Sequence, residues 1–208
     1  MATAFLLTGP PGVGKTTLLR QLLRTLNVPA DGFFTAEIRE GARRTGFAIE
    51  DLAGRRGVLA REGRPREVAG PCVGRYQVEL ADLEAVGVAA LERALHGAGL
   101  IVIDEIGKME ACSPRFCAAV ERALQAPDAV IVGTILQAAH PWIDRVKAHP
   151  TLTLVPLTAA SRAATLAHLV DRVRAALIAA GHAPEGGVGG GGPAGGGPAR
   201  GASSGSRP

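Results

Sequence analysis

The chain has 208 residues, of which 47% are hydrophobic and 20% charged, a composition typical of a globular protein with room for one domain. Its formal charge of +4 comes from 23 basic and 19 acidic side chains scattered along the whole length, so no dense basic stripe predicts binding to nucleic acid. No apolar run approaches the roughly 18 residues of a membrane-spanning helix and no cleavable leader is recognisable, so we predict a cytoplasmic protein without a membrane partner.

The first predicted elements are an apolar strand at residues 4–8 and a leucine-striped helix that begins at Lys15. Between them, Gly9 to Thr16 reads Gly-Pro-Pro-Gly-Val-Gly-Lys-Thr and fits the G-x-x-x-x-G-K-[ST] pattern of a phosphate-binding loop. Glycines let the backbone approach phosphate oxygens, and the free N–H groups at the helix start favour their negative charge. Lys15 then faces the β- and γ-phosphates of a nucleoside triphosphate, and the Thr16 hydroxyl is a predicted ligand of Mg2+.

The stretch from Gly32 to Val78 is rich in Gly and Arg and differs from the rest of the chain. Short strands are predicted there at residues 32–37, 45–51, 56–60 and 75–78. We interpret the stretch as a small antiparallel insertion or edge extension beside a parallel core. Its arginines at positions 39, 43 and 44 either cover the phosphates of a nucleotide or form a polar hairpin tip. The aromatic candidates for stacking on a base are Phe33, Phe47, Tyr76 and Trp142, although core packing is the expected fate of most.

Three further apolar runs predict strands, at residues 100–104, 129–134 and 152–155, with helical patterns between them. Ser113 and Pro114 begin one of these helices, and the last helix, from about Ser161 to Ala180, ends at Gly181. Alternating apolar strands and helices predict an α/β fold, a mostly parallel sheet with helices on both faces. We expect this domain to span residues 1–183. Residues 184–208, mostly Gly, Pro, Ser and Ala, are expected to form a disordered tail.

The strand that begins at Leu100 ends in two adjacent carboxylates, Asp104 and Glu105. A phosphate-binding loop works together with an acidic residue at the tip of a buried strand, which holds Mg2+ partly through water. We therefore predict Thr16 and Asp104 as the metal-binding residues and Glu105 as the base that polarises the attacking water.

Two side chains just after this strand are further candidates for catalysis. Lys108 is either a cation that stabilises the transition state at the γ-phosphate or an exposed surface lysine. Glu110 is a second candidate for activating water, so the predicted catalytic residues are Lys15, Glu105, Lys108 and Glu110. The predicted nucleotide-binding residues come from the loop and the acidic strand end: Gly9, Pro10, Pro11, Gly12, Val13, Gly14, Lys15, Thr16, Thr17, Ile101, Val102, Ile103, Asp104, Glu105, Ile106, Gly107 and Lys108.

Several functions use such a loop. Residues 104–107 also fit the D-x-x-G pattern of switch GTPases, but the guanine-reading N-K-x-D motif needs a later asparagine and the chain has only Asn27. The missing motif argues against a conventional GTPase. Hydrolysis of nucleoside triphosphates with Mg2+ as cofactor is the leading hypothesis. A nucleotide or small-molecule kinase and a nucleotide-gated interaction module are the alternatives, and no protein partner can be identified.

Several segments together resemble the THEP-type nucleoside-triphosphatase family: Gly9 to Thr16, Asp31 to Arg39, Arg44 to Phe47, Asp104 to Glu110, and the residues Gly74, Tyr76 and Gly133-Thr134. The likeness spans about Thr3 to Ala180. It implies a RecA-like P-loop fold and slow hydrolysis of several nucleoside triphosphates to the diphosphate and phosphate, without a dedicated acceptor. Two regions depart from the family: Ser161-Arg162 stands where Asn-Arg is usual, and residues 135–140 are atypical. If these regions contact the base or the γ-phosphate, the preference among nucleotides would differ from that of the family.

Overall fold

The computed structural model describes residues 2–63, 70–97 and 99–182, and a single mixed sheet forms its centre. The predicted tail at residues 184–208 lies outside the described residues. In chain order the strands are β1 (Thr3–Thr8), β2 (Ala30–Glu40), β3 (Arg43–Asp51), β4 (Arg56–Glu62), β5 (Cys72–Val73), β6 (Tyr76–Val78), β7 (Leu100–Ile106), β8 (Val130–Ile135) and β9 (Leu152–Pro156). Across the sheet the order is β5-β6-β4-β3-β2-β7-β8-β1-β9.

The helices are α1 (Lys15–Leu26), α2 (Leu80–Asp82), α3 (Ala89–Gly97), α4 (Pro114–Gln125), α5 (Pro141–Lys147) and α6 (Arg162–Ala179). A π-helical segment, Leu83–Val88, joins α2 to α3, and a 3-10 turn, Glu110–Cys112, precedes α4. The predicted start of α4 is confirmed, because the Ser113 hydroxyl accepts a hydrogen bond from the backbone N–H of Phe116 at 3.1 Å. Within the described part of the chain, no helix is both long and apolar enough to cross a membrane.

The parallel half of the sheet consists of β2, β7, β8, β1 and β9, as the pairing of each neighbour shows. The interpretation of residues 32–37 as part of an insertion needs correction. Ala30 to Phe33 pair in parallel with Leu100 to Ile103 of β7, and from Phe33 onward the same strand pairs antiparallel with β3. One strand therefore belongs to both halves. We call β3 to β6, with the part of β2 after Phe33, the antiparallel extension.

Helices cover both faces of the sheet because side chains alternate along each strand. Ile101 and Ile103 of β7 lie in a core cluster with α3, α4 and α5. Leu100 and Val102 of the same strand lie in the opposite cluster, with the leucines of α1 and the apolar side of α6. Each fully buried aliphatic side chain contributes about 1.5–3 kcal/mol to folding. The predicted α/β architecture is confirmed, and β7 is buried on both faces. Its carboxyl end lies on the same side of the sheet as the glycine-rich loop, which follows the carboxyl end of β1.

An arginine on α3 connects the helical layer to β2 and to the end of β3. Arg93 binds Asp31 of β2 through Nε and Nη2, at 3.0 Å each, and Nη2 also lies 2.9 Å from Oδ2 of Asp51. Asp51 has a fully buried side chain, and its Oδ1 accepts a hydrogen bond from the backbone N–H of Arg55 at 2.7 Å. This pairing neutralises a buried carboxylate, which would otherwise destabilise the fold.

Candidate active site

The glycine-rich loop lies between β1 and α1, as its motif predicts. Gly12 and Gly14 have φ angles of 75° and 96°, a region that side chains with a Cβ rarely adopt, so the path of the loop requires glycine there. Gly14 stands at the N-cap and has no side chain to cap the first turn of α1, which leaves backbone N–H groups for an anion. The Lys15 ammonium donates to the carbonyl oxygens of Gly9 at 2.9 Å and Pro10 at 3.2 Å.

Asp104 lies near the end of β7 and is only 1% exposed. Its Oδ1 accepts hydrogen bonds from the hydroxyl of Thr16 at 3.1 Å and from that of Thr134, on β8, at 3.0 Å. Burial raises the pKa of Asp104 to about 6, although the two hydroxyl groups act in the opposite direction. The fold therefore keeps this carboxylate where its charge is poorly solvated, beside the first turn of α1.

The atoms around Asp104 fit a Mg2+ ion. Its Oδ2 is buried and has no hydrogen-bond partner among the residues that the structure describes. An orphaned carboxylate oxygen is costly unless a cation or water completes it, and Mg2+ prefers carboxylate and hydroxyl oxygens. The two predicted metal-binding residues, Thr16 and Asp104, are already in contact. In the described segments, no three His, Cys, Asp or Glu side chains are grouped to hold a metal alone, so an ion here would take further ligands from water and phosphate.

Two other carboxylates lie on the same side of Gly107, around the place that a side chain there would take. A Cβ placed on Gly107 would lie 2.7 Å from Oε2 of Glu110 and 3.5 Å from Cδ of Glu105. Burial first, and the charge of Glu105 second, raise the pKa of Glu110 to about 8. Burial also raises the pKa of Glu105, and the nearby charge of Lys15 opposes that rise. Burial therefore favours the protonated form of Glu110, and Glu105 is the less buried of the two, which favours Glu105 as the group that accepts a proton.

The remaining predicted residues near β7 divide into two sets. Lys108 is exposed at the turn after the strand, a position that leaves both of its predicted roles open. The predicted nucleotide-binding residues of the strand itself are at most 1% exposed: Ile101, Val102, Ile103 and Ile106. Their side chains pack in the core clusters, so this placement differs from the predicted contact with nucleotide. They anchor in the core the strand that carries Asp104.

The arginines of the antiparallel extension that were candidates for contact with phosphates bind carboxylates of the extension. Arg39 and Arg44 both bind the carboxylate of Glu37, each with a hydrogen bond of 2.8 Å, and Arg43 binds Glu62. All seven aromatic side chains of the chain are buried or half-buried. Those considered for base stacking are packed instead: Phe33 and Trp142 in a core cluster, and Phe47 edge-on against Tyr76 with ring centroids 5.2 Å apart.

Two residues contact the site from distant parts of the sequence and are absent from the predicted site residues. Thr134 binds Asp104, and Arg162, the first residue of α6, donates from Nη2 to the carbonyl oxygen of Val13 at 2.8 Å. Both had a signal, since Gly133-Thr134 contributes to the family resemblance and Arg162 follows the one residue, Ser161, that departs from the Asn-Arg pair usual in the family. The contacts span 30 and 149 residues of sequence, and no local pattern encodes them.

A strand, a glycine-rich loop and a helix, facing a buried acidic strand end two strands away, define the P-loop class of α/β proteins. A family model described as NTPase matches residues 4–170. Nucleoside-triphosphatase THEP1 from Thermotoga maritima is 42% identical over 166 residues, which are 80% of this chain and 92% of that protein.

Two solved structures have the same fold. The crystal structure of THEP1 from Aquifex aeolicus matches with a TM-score of 0.70 and 31% identity, covering 83% of this chain and 99% of that one. The solution structure of a human cancer-related nucleoside triphosphatase matches with a TM-score of 0.72 and 36% identity, covering 84% of this chain and 98% of that one. The chain belongs to this NTPase family, and the resemblance to THEP-type proteins is confirmed.

Proposed function

We propose that this protein hydrolyses nucleoside triphosphates to the diphosphate and phosphate, with Mg2+ as cofactor. The observation that carries the proposal is the buried Asp104 carboxylate, joined to Thr16 of the glycine-rich loop and left with one unpartnered oxygen. Relatives that cover most of the chain are named nucleoside-triphosphatases, which supports the same activity. Those names favour hydrolysis over the kinase and the interaction module considered from the sequence.

Each part of the site has a distinct task in this proposal. The backbone N–H groups from Gly12 to Lys15 and the Lys15 ammonium bind the phosphate oxygens. Thr16 and Asp104 would hold Mg2+, which when bound neutralises charge on the β- and γ-phosphates. Thr134 keeps Oδ1 of Asp104 in place beside the Thr16 hydroxyl.

Glu105 accepts a proton from the attacking water. The water oxygen forms a bond to the γ-phosphorus while the bond from that phosphorus to the bridging oxygen breaks, and the diphosphate leaves. Glu110 stays protonated beside Gly107 and limits the negative charge around Glu105. Lys108, exposed at the turn after β7, would contribute positive charge at the γ-phosphate in this proposal, and its position equally fits the alternative of a plain surface lysine. Slow turnover of several nucleoside triphosphates, as the family resemblance implies, is part of the proposal.

Phosphate release from purified protein with MgATP tests this function. We expect steady release by the wild type and a loss of at least about a hundredfold in Lys15→Ala, since that ammonium would face the phosphates. Lys147→Ala is a matched control, because Lys147 also donates to two backbone carbonyls, those of Gln137 and Ala138 at 3.3 and 3.2 Å, but on another loop. It should keep the wild-type rate.

Equal rates in wild type and Lys15→Ala would refute hydrolysis at this loop. The kinase alternative predicts a different result: ATP consumption that one nucleoside, nucleotide or metabolite accelerates, with a phosphorylated product. A panel of the common ribo- and deoxyribonucleoside triphosphates then defines the substrate range.

A further inference from the structure

The guanidinium of Arg162 lies flat on the glycine-rich loop. A Cβ placed on Gly14 would be 3.1, 3.2 and 3.3 Å from Nη2, Cζ and Nε of Arg162. Three atoms of one plane at nearly equal distances from one point show that a face of the guanidinium rests against Gly14. The Val13 carbonyl holds its edge through the hydrogen bond from Nη2. Arg162 is nevertheless exposed, so its second face is turned away from the loop.

The order of strands shows which end of a nucleotide would meet this arginine. The glycine-rich loop follows β1, with β8 and β7 on one side and β9 on the other. The carboxylates that would act at the γ-phosphate lie on the β7 side. The loop after β9 lies on the opposite side, where the Leu157 N–H donates to the Thr8 carbonyl at 2.8 Å. A triphosphate with its γ end at Asp104 therefore has its nucleoside end on the side of Arg162.

On that side of the molecule, the planar group that could stack on a base is the guanidinium of Arg162 and not an aromatic ring. Each of the seven aromatic side chains is buried or half-buried, and the arginines that lie over aromatic rings in the described segments do not include Arg162. A guanidinium is planar, always charged and able to stack on π systems. Held by Val13 and backed by Gly14, the plane of Arg162 is already fixed, which reduces the entropy lost when a ring packs against it.

We propose that Arg162 is a nucleotide-binding residue whose guanidinium stacks on the base of the bound nucleoside triphosphate. The inference rests on the proposed function for the identity of the ligand. Every base presents a π face, so a stacking contact tolerates all four bases, unlike hydrogen bonds that read a base edge. Arg162 would then supply affinity for the nucleoside while leaving the protein able to accept several nucleoside triphosphates.

Binding measured without turnover tests this role. We would titrate the full-length protein, in Mg2+, with the imidotriphosphates of adenosine and of uridine and with inorganic triphosphate, by calorimetry. Arg162→Ala should raise the Kd of both imidotriphosphates about five- to tenfold, between the ranges of an exposed and of a desolvated cation–π contact. The Kd of inorganic triphosphate, which has no base, should change by less than about twofold. Arg162→Lys should lose most of the same affinity, because it keeps the charge but not the plane.

Arg174→Ala is the matched control, since Arg174 lies on the same helix and donates to the Thr25 carbonyl at 3.2 Å, at the far end of α1. It should bind all three ligands as the wild type does. An equal loss for inorganic triphosphate, or full rescue by Arg162→Lys, would overturn the proposal in favour of a phosphate contact. Unchanged Kd values in Arg162→Ala would overturn it outright. A protein that binds the imidotriphosphates as expected but releases no phosphate from ATP would instead refute only the hydrolysis.

Discussion

The acidic side chains of two regions lie in opposite environments, which shift their pKa values in opposite directions. In the antiparallel extension, Glu37 is bound by two arginines, and the hydrogen bond from Arg44 is the main cause of its lowered pKa. At the end of β7, Asp104 and Glu110 are buried, and burial raises the pKa of both. The extension uses its charges to hold strands together. Among the residues that the structure describes, the acidic site, Asp104, Glu105 and Glu110, has no arginine partner of this kind, and its carboxyl groups are buried or half-buried, ready for a cation or a proton.

Glu105→Gln makes the largest change that this comparison predicts. It removes the proposed proton acceptor but keeps the size of the side chain, so phosphate release should fall by about 10²- to 10⁴-fold. Binding of MgATP should persist. Initial rates and calorimetric titration measure the two effects. Glu62→Gln, which removes the charge that Arg43 binds in the extension, is the control and should keep full activity. Comparable losses in both variants would contradict the assignment.

The sequence predicts the site most reliably where one segment supplies both the chemistry and the geometry. The glycine-rich loop is such a case, since its motif, strand and helix occupy adjacent residues. The Ser113 cap is another, because the hydrogen bond joins residues three apart. Both depend on local backbone conformation, which propensities and motifs describe.

Contacts between distant segments could not be predicted in this way. β2 pairs in parallel with β7 and antiparallel with β3. The alternation of side chains along a strand shows which face is buried, but it does not show which strands lie beside it. The two-residue strand β5 is too short for any periodic signal. Thr134 and Arg162 reach the site only because parallel strands bring their carboxyl ends to one edge, so the topology is needed before either contact can be inferred.

Glu110→Gln tests the acidic site through the pH dependence of stability. Because the pKa of Glu110 is raised from 4.5 to about 8, the folded state binds its proton more tightly than the unfolded state. This contribution to the free energy of unfolding is complete below about pH 4.5 and is lost as the pH rises through about 8. The neutral glutamine removes that loss. The variant should therefore gain stability relative to wild type with rising pH, by on the order of 3 kcal/mol.

Urea unfolding of both proteins at several pH values from about 5 to about 8 measures the difference. Glu40→Gln, at an exposed position of the β2–β3 hairpin, should keep the slope of the wild type. Parallel stability curves for wild type and Glu110→Gln would show that Glu110 is not a buried acid with a raised pKa.

Arg93→Ala tests the region in which arginines bind the acidic side chains. There the effect should be on stability and not on turnover. Removing the guanidinium leaves the buried Asp51 carboxylate without its partner, which in a wholly buried pair costs about 3–5 kcal/mol. Since Arg93 is 38% exposed, we expect a smaller loss, about 2–3 kcal/mol in the free energy of unfolding. The kcat of the folded enzyme should stay within about twofold of wild type.

Arg56→Ala is the counterpart at the surface. Arg56 binds Glu50 at 2.9 Å, but the two side chains are 76% and 40% exposed, so the loss should be below about 1 kcal/mol. Urea unfolding and initial rates, measured on the same preparations, separate the two quantities. A fall in kcat without a fall in stability in Arg93→Ala would contradict the division between a stabilising and a reactive region.

Arg39→Ala should have the smallest effect and decides whether the two regions are independent. Arg39 is 52% exposed and is held by Glu37 and by the Ala42 carbonyl at 3.0 Å. If the hairpin only stabilises itself, the free energy of unfolding should fall by less than about 1 kcal/mol, and the KM for ATP should not change. A tenfold rise in KM would mean the opposite. Arg39 would then have to leave Glu37 when a nucleotide binds, and the antiparallel extension would be part of the active site.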